Sequence, residues 1–379
     1  MDLICLCHIR WNFVYQRPQH LLNRFAINNR VFVIEEPIYD SPSDYYEITK
    51  PNEESNLWVI VLHVSKNVSK EKTDHVLKAL VDSFIYSNHI QKYILWYYSP
   101  MALDYTDHLV AALTVYDCMD ELSAFKAAPP RLKERELCLM EKADIVFTGG
   151  HSLYKAKKHL HHNIYPFPSS IDKSHFALAR VTHDDPEDQA SIPHPRFGFY
   201  GVIDERFDIL LVDELAKRRP EWNFIFIGPI AKVDQAQLPK NSNIYYLGKK
   251  TYKQLPMYLA GWDVAILPFA LNESTKFISP TKTPEYLAAG KPVISTSITD
   301  VVTPYGKKGL VHIADTTEEF ITEAEKILSD KNNEDWKKKV DEFLGNISWN
   351  KTWRKMATII EETLQKKEEI EKNKSKVYV

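Results

Sequence analysis

The fold of this chain is decided by one stretch, SPTKTPEYLAAGKPV, which runs from Ser279 to Val293. An apolar run at residues 263–269 precedes it and is typical of a buried strand, and a second short β-rich run follows it. Between these runs we predict a short helix, with Ser279 as N-cap, Pro280 in the first turn and Gly290 at the C-terminal stop. Because the helix starts just beyond a strand end, its free N–H groups face any ligand at that edge of the sheet.

Three polar residues are expected on one face of this helix. Glu285 follows Lys282 by three positions and Thr281 by four, and side chains at these spacings are neighbours on a helix. The helix N-terminus and the Lys282 ammonium attract an anion, while the carboxylate can hold sugar hydroxyls. The pattern therefore fits a nucleotide-sugar site, although it equally fits a fortuitous Lys–Glu pair on an ordinary helix.

Length and composition indicate a soluble protein of two domains. The chain has 379 residues, 44% of them hydrophobic and 26% charged, which exceeds one ordinary core. A net charge of −3 gives no reason to expect nucleic acid as a partner. The chain has no apolar run of membrane-spanning length, no basic secretion signal at its start, and four cysteines without a CxxC pair. We therefore expect a cytoplasmic location.

The order of strand-like and helix-like segments predicts an α/β protein with two similar halves. Alternation of this kind indicates parallel sheets covered by helices, with functional groups at the carboxyl ends of the strands. Residues 40–56 are polar and are predicted to be irregular. We expect domains at residues 1–180 and 196–345, an acidic, proline-containing linker at 181–195, and, at 346–379, a final helix with a charged tail that is either frayed or solvated.

No classical cofactor motif is present. The first strand–helix turn, residues 8–18, contains no glycine, whereas a dinucleotide site needs several. GxxxxGK[ST], HExxH and GxSxG are also absent. Cys5, Cys7 and His8 lie close together, but no second ligand pair lies nearby in sequence. We therefore predict neither cofactor nor metal, and expect phosphate to be held by Lys, Arg and helix N-termini.

The whole chain resembles the GT-B glycosyltransferases, and within them the family-4-like group that uses nucleotide sugars. The resemblance rests on the two α/β halves, the EYLAAGKPV element at residues 285–293 and a closing Trp-bearing helix. It implies two Rossmann-like domains facing a central cleft, an acceptor-binding first domain and a donor-binding second domain, with the C-terminal helix crossing back to the first domain. Weaker landmarks, in the expected order, are residues 116–121, 143–147, 171–176 and 199–201.

The resemblance also implies roles for residues of the second domain. Glu285 matches the glutamate that holds the donor ribose, and Arg206 lies where the family places a basic residue for the diphosphate. The helix start falls against the diphosphate, and the loop after an earlier strand borders the base. The further donor-binding residues are Ser279, Pro280, Thr281, Lys282, Gly248 and Lys249.

The sequence departs from the family pattern at two points. The first glutamate of the family's pair should lie eight residues before Glu285, where this chain has Phe277, and Glu273 comes four residues too early. The lysine that usually follows the arginine is also missing, because residues 207–208 are Phe-Asp. Contacts to the transferred sugar, and with them retention or inversion, stay open.

Candidate catalytic groups come from both halves. Lys282 and Arg206 would stabilise the leaving diphosphate without a metal ion. Asp117 and Asp120 end a strand, and either would be the general base if the reaction inverts configuration; in a retaining reaction they would bind acceptor or cap a helix. Further cleft candidates are His151, for catalysis, and Arg17 and His20, for the diphosphate or the acceptor.

These observations predict a glycosyltransferase that uses UDP-sugar rather than GDP-sugar. The acceptor would be a glycan or a lipid-linked glycan, as in cell-surface polysaccharide synthesis. A GT-B nucleotide-sugar epimerase and a non-catalytic sugar-binding protein are the alternatives. The basic segment at residues 155–162 either contacts anionic lipid on the inner face of a membrane or is a solvated helix face.

Overall fold

A computed structural model describes residues 1–182, 184–330 and 333–377. His183 of the predicted linker and residues 378–379 of the predicted tail lie outside the described residues. Within the described part no helix is both long and apolar enough to cross a membrane.

The first half of the chain forms a predominantly parallel sheet in the strand order β3-β5-β2-β1-β6-β7-β8-β9, with β4 antiparallel to β5. Alternate residues of each central strand enter different cores, as the two-residue period of a strand requires: Ile4 and Leu6 pack in one core, Leu3 and Cys5 in the other. The elements are β1 Asp2–Cys7, α1 Arg17–Phe25, β2 Val31–Glu35, β3 Ile38–Ser41, β4 Tyr45–Thr49, β5 Leu57–Ser65, α2 Lys70–Ser87, β6 Tyr93–Tyr97, α3 Leu103–Thr106, β7 Leu113–Cys118, α4 Leu132–Lys142, β8 Ile145–Thr148, α5 His151–Lys157 and β9 Ile164–Pro166.

The second half forms a fully parallel sheet in the order β12-β11-β10-β13-β14-β15. Its strands are short and apolar because helices cover both faces. Two short helices lead into this half, and three helices follow it. The elements are α6 Lys173–Ala177, α7 Glu187–Ala190, β10 Arg196–Tyr200, α8 Ile209–Arg218, β11 Asn223–Ile227, β12 Ile244–Gly248, α9 Leu255–Ala260, β13 Val264–Leu267, α10 Lys282–Ala288, β14 Val293–Ser295, α11 Thr299–Val302, β15 His312–Ile313, α12 Thr317–Ser329, α13 Glu334–Leu344 and α14 Trp349–Val377.

Three local predictions are wrong. Residues 40–56 are not irregular, because they include the end of β3 and all of β4, which is held by pairing with β5 although most of its side chains are exposed. Helix α10 begins at Lys282, so neither Ser279 nor Pro280 belongs to its first turn. Of the two states predicted for the charged tail, fraying is wrong because the chain is helical as far as Val377, whereas residues 368–373 are exposed to solvent.

The segment between the halves packs against the second domain and is not an open linker. Asp185 forms an ion pair with Arg196 at 2.5 Å. The buried Gln189 side chain donates to the Tyr258 carbonyl at 3.0 Å and accepts from the Trp262 indole N–H at 2.9 Å. These contacts satisfy the polar groups of the segment inside the fold.

The C-terminal helix crosses back to the first domain, as the resemblance implies. Trp349, Met356 and Ile360 of α14 are buried in the core that includes Leu21 and Phe25 of α1. Spacings of seven and four residues bring these side chains onto one face of the helix. The last helix therefore belongs to the core of the first domain.

We expect Trp349→Ala to destabilise the first domain by about 3–5 kcal/mol, the usual cost of removing a buried tryptophan. Lys355→Ala, at an exposed position of the same helix, is the control and should cost less than about 0.5 kcal/mol. Urea unfolding measures both. Equal effects of the two substitutions would show that α14 is not docked on the first domain.

Candidate functional site

A cavity of about 350 Å³ lies between the two domains. Its walls are residues 11–16 of the first domain, the carboxyl ends of β10 and β11, the loop after β12, and the start of α10. Of the predicted donor-binding residues, those that line it are Thr281, Lys282, Glu285, Arg206 and Lys249; Ser279, Pro280 and Gly248 do not. We call this cavity the donor cavity.

Lys282, at the start of α10, is one of the cations that line the donor cavity. Its ammonium lies 5.5 Å from the ring centre of Phe199 and 5.9 Å from that of Phe269. Burial, together with the like charge of Arg206, lowers the pKa of Lys282 to about 8. Gly201 leaves room for this side chain because it has no Cβ atom. A Cβ atom added there would lie 2.2 Å from the Lys282 Cε atom.

Glu285 lies one turn after Lys282 and is 4% exposed. Its Oε2 atom accepts a hydrogen bond from the Tyr200 hydroxyl, and the Tyr200 backbone N–H donates to the Tyr286 hydroxyl oxygen at 2.9 Å. Burial raises the pKa of the Glu285 carboxyl, while the Tyr200 hydrogen bond and the Lys282 charge oppose that rise. The carboxylate is thus oriented towards the cavity by side chains of β10 and α10.

Arg206 forms an ion pair that the sequence analysis missed. Its guanidinium donates to both Asp204 carboxylate oxygens, at 2.6 Å from Nη2 and 2.9 Å from Nε, and lies 5.1 Å from the ring centre of Phe125 in the first domain. A bidentate arginine–carboxylate pair is strong and directional. A diphosphate that binds Arg206 would therefore compete with Asp204. The i, i+2 spacing in the loop after β10 is the signal that could have suggested the pair.

A second cavity, of about 470 Å³, adjoins the donor cavity and shares Phe13, Gln16, Val202 and Arg206 with it. Asp120 lines this second cavity. Burial raises the pKa of the Asp120 carboxyl to about 6, although the charge of Arg206 opposes the shift. A carboxyl that titrates near neutrality in a cleft is suited to proton transfer.

Asp117 does not reach either cavity. Its fully buried carboxylate is bound by Arg17, which is also buried, with the Arg17 Nη2 atom 2.8 Å from Oδ1. Arg17 in turn donates to the Phe167 carbonyl at 2.6 Å. The two residues that the sequence placed in the cleft as separate groups form one structural pair beneath it.

The two predicted histidines also lie outside both cavities. His20 is buried and stacks on Trp349, with ring centres 4.6 Å apart. His151 is exposed at the start of α5, and the next residue, Ser152, donates its backbone N–H to Asp300 of the second domain at 3.0 Å. These positions place His20 in the α1–α14 seam and His151 beside a contact between the domains. His8, at the end of β1, is the histidine that lines the second cavity.

Two contacts close the donor cavity across the domain boundary. The Lys249 ammonium donates to the Asn12 carbonyl at 2.7 Å. Tyr15 stacks on Tyr252, with ring centres 4.5 Å apart. Lys249 therefore does lie at the cavity, but it is bound to the first-domain loop.

The predicted basic segment at residues 155–162 is not uniformly exposed. Lys157 is buried and bound by Glu136 at 2.8 Å and Glu121 at 2.7 Å. His161 is also buried and hydrogen-bonded to the Ala143 carbonyl at 2.9 Å. The exposed part of the segment is therefore smaller than the sequence suggests. In the described residues, no three His, Cys, Asp or Glu side chains gather as metal ligands.

Comparison with known proteins agrees with this geometry. Residues 194–330 match the family model described as "Glycosyl transferases group 1". The second domain is thus similar to the glycosyl transferases of this group. The "Putative teichuronic acid biosynthesis glycosyltransferase TuaH" of Bacillus subtilis (strain 168) is 25% identical over 265 residues, which are 64% of this chain and 65% of that protein. The match thus spans slightly less than two thirds of the relative's length.

Solved structures show the same fold over almost the full length. Sucrose-phosphate synthase of Thermosynechococcus elongatus has a TM-score of 0.69 at 12% identity, over 96% of this chain and 99% of that one. HepE of Anabaena, in complex with UDP and glucose, has a TM-score of 0.66 at 13% identity, over 95% and 99%. The resemblance to GT-B glycosyltransferases and the GT-B fold are confirmed.

The matched region contains Arg206, Lys282 and Glu285, and it also contains Phe277, which stands where the resemblance expects a glutamate. Phe277 packs against the first-domain core, under the Lys276 ammonium, which lies 5.5 Å from its ring centre. Glu273, the other candidate for the missing glutamate, is exposed and pairs with Lys276 at 3.6 Å. Neither residue lines the donor cavity.

We expect Gly201→Ala to weaken donor binding at least tenfold, because the new Cβ would displace Lys282. Gly201 has a φ of +144°, so we also expect a stability loss of about 1–3 kcal/mol. Gly309→Ala is a matched control, since Gly309 has a φ of +66° and open space around its would-be Cβ. Calorimetric donor titration and thermal unfolding measure the two effects. Normal donor affinity in Gly201→Ala would show that Lys282 is not a donor contact.

Proposed function

We propose that this protein transfers a sugar from a nucleotide-sugar donor, specifically a UDP-sugar, to a hydroxyl of a glycan or lipid-linked glycan. The observation that carries the proposal is the meeting of two cations and one titratable carboxyl at the junction of two cavities. Lys282 lines the donor cavity, Asp120 lines the second cavity, and Arg206 lines both. The UDP complex of HepE, a protein of the same fold, supports the choice of nucleotide.

The donor cavity can hold the nucleotide diphosphate with protein charges. As the bond between the sugar C1 atom and the phosphate oxygen breaks, negative charge develops on the diphosphate. Lys282 and Arg206 are placed to stabilise that charge, and the proposal needs no metal ion for it. Glu285, oriented by Tyr200, accepts hydrogen bonds from the donor's ribose hydroxyls.

The second cavity takes the acceptor. The acceptor hydroxyl forms the new bond to the C1 atom of the donor sugar. In an inverting displacement, Asp120 receives the proton of that hydroxyl. In a retaining reaction Asp120 instead holds the acceptor hydroxyl by a hydrogen bond. Asp117 has neither role in this proposal, because Arg17 occupies its carboxylate.

Different observations bear on the two alternatives, an epimerase and a non-catalytic sugar-binding protein. An epimerase would need a closed acceptor side, whereas the second cavity has about 470 Å³ of open space. A non-catalytic sugar-binding protein is favoured by Phe277, which leaves the transferred sugar without the family's glutamate. Consumption of the donor distinguishes the two functions, because a transferase consumes the donor and a non-catalytic sugar-binding protein does not.

We expect one UDP-sugar, in a panel of UDP-, GDP- and other activated sugars, to release its nucleotide slowly with the wild-type enzyme. Lys282→Ala should reduce the release rate by about 10²–10³-fold, and Glu285→Ala should weaken donor binding. Lys276→Ala, at an exposed lysine six residues earlier, is the control. Binding that survives both site substitutions would refute the site. Binding without turnover with any acceptor would favour the non-catalytic alternative.

We expect a bell-shaped dependence of kcat/KM on pH. Activity should rise as Asp120 loses its proton near pH 6 and fall as Lys282 loses its proton above about pH 8. Asp120→Asn should lower the rate by about 10²–10⁴-fold and remove the acidic limb. Lys282→Arg keeps its charge at all these values, so it should shift the alkaline limb upwards. An acidic limb that is unchanged in Asp120→Asn, or an alkaline limb that is unchanged in Lys282→Arg, would show that another group causes it.

A further inference from the structure

A third cavity, of about 280 Å³, continues the acceptor side of the cleft. It shares Glu36, Ser99, Met101 and Pro129 with the second cavity. The two therefore form one groove that leads away from Asp120. The far end of this groove is unused in the proposed function.

The groove follows the carboxyl edge of the first sheet. Asp120 comes after β7, Ser99 after β6 and Glu36 after β2, and Tyr39 lies in β3. Because β7 and β2 are separated by β6 and β1 in the sheet, the groove spans three strand spacings, about 14 Å. That length exceeds what a single sugar ring needs.

The third cavity has the chemistry of a neutral-sugar site. Tyr39 is 56% exposed at its rim, and the ring of Tyr105 forms part of its wall. Carboxylates of Glu36 and Asp74 line it, whereas the Asp104 carboxylate is taken up by Arg135 at 2.5 Å. Aromatic faces pack on the C–H faces of sugars, and carboxylate oxygens accept from hydroxyls.

The charges of the two parts of the groove differ. Arg10, Lys126 and Lys232 line the second cavity, and none of them lines the third. The Asp74 carboxylate in the third cavity would repel an acidic sugar there. A charged substituent is therefore tolerated beside Lys232 and disfavoured beside Asp74.

We propose that the third cavity is an outer acceptor subsite, which binds the uncharged sugar that precedes the terminal sugar of an oligosaccharide acceptor. This inference rests on the proposed function and makes it more specific. The enzyme would then extend a chain in preference to glycosylating a free monosaccharide. Tyr39, Glu36 and Asp74 are its binding residues.

The test compares uncharged mono-, di- and trisaccharides that share one terminal sugar. We expect KM for the di- and trisaccharide to be about tenfold lower than for the monosaccharide. Tyr39→Ala should raise KM for the longer acceptors about three- to tenfold, leave the monosaccharide KM unchanged, and not alter donor affinity. Tyr86→Ala, at a tyrosine that is 84% exposed and lines none of the three cavities, should change nothing.

Calorimetric binding of the same saccharides without donor tests the subsite independently of transfer. A disaccharide with an acidic second sugar should bind less tightly than its neutral analogue, and Asp74→Asn should reduce that difference. Equal affinities for short and long acceptors, or an equal effect of Tyr39→Ala on both, would overturn the subsite. Failure of the proposed function would instead appear as saccharide binding with no transfer from any donor.

Discussion

The buried ion pair between Arg17 and Asp117 is the constraint on which the rest of the cleft depends. It joins the start of α1 to the end of β7, and the Arg17 bond to the Phe167 carbonyl adds the segment after β9. Leaving one member of such a pair without its partner is costly inside a protein. The pair therefore fixes the loop at residues 8–16 and the strand end that carries Asp120, so that both cavities keep a common wall.

A second electrostatic arrangement governs the donor side. Arg206 is neutralised by Asp204, whereas the Lys282 ammonium rests over aromatic rings and has a lowered pKa. An incoming diphosphate would give Lys282 an anionic partner and would compete with Asp204 for Arg206. Its binding would raise the pKa of Lys282. The Asp204 carboxylate, once released by Arg206, would face a cleft that already contains Asp120. Binding of the diphosphate would thus replace the Asp204 carboxylate as the anionic partner of Arg206.

The sequence predicted the fold well because its signals were local. The apolar run predicted as a strand at residues 263–269 contains β13, and the alternation of strand-like and helix-like segments corresponds to the two parallel sheets. Local rules failed where contacts between distant residues determine the structure. Strand β4 is held by its pairing with β5. Ser279 does not cap α10, because its hydroxyl oxygen accepts a hydrogen bond from the Ser169 backbone N–H. The Arg17–Asp117 pair spans 100 residues, and nothing in either neighbourhood indicates it. Lys282 and Glu285, which the sequence predicted from a family pattern and a helical spacing, both line the donor cavity.

The return of α14 to the first domain has a consequence for how the two halves can move. The chain passes between the domains twice, once between Phe167, which packs in the first domain, and Ile171, which packs in the second, and again between α13 and α14. The two crossings lie side by side, since the Trp349 backbone N–H donates to the Ile171 carbonyl at 3.1 Å. Any opening of the cleft would therefore turn about this one double crossing and would separate Lys249 from Asn12.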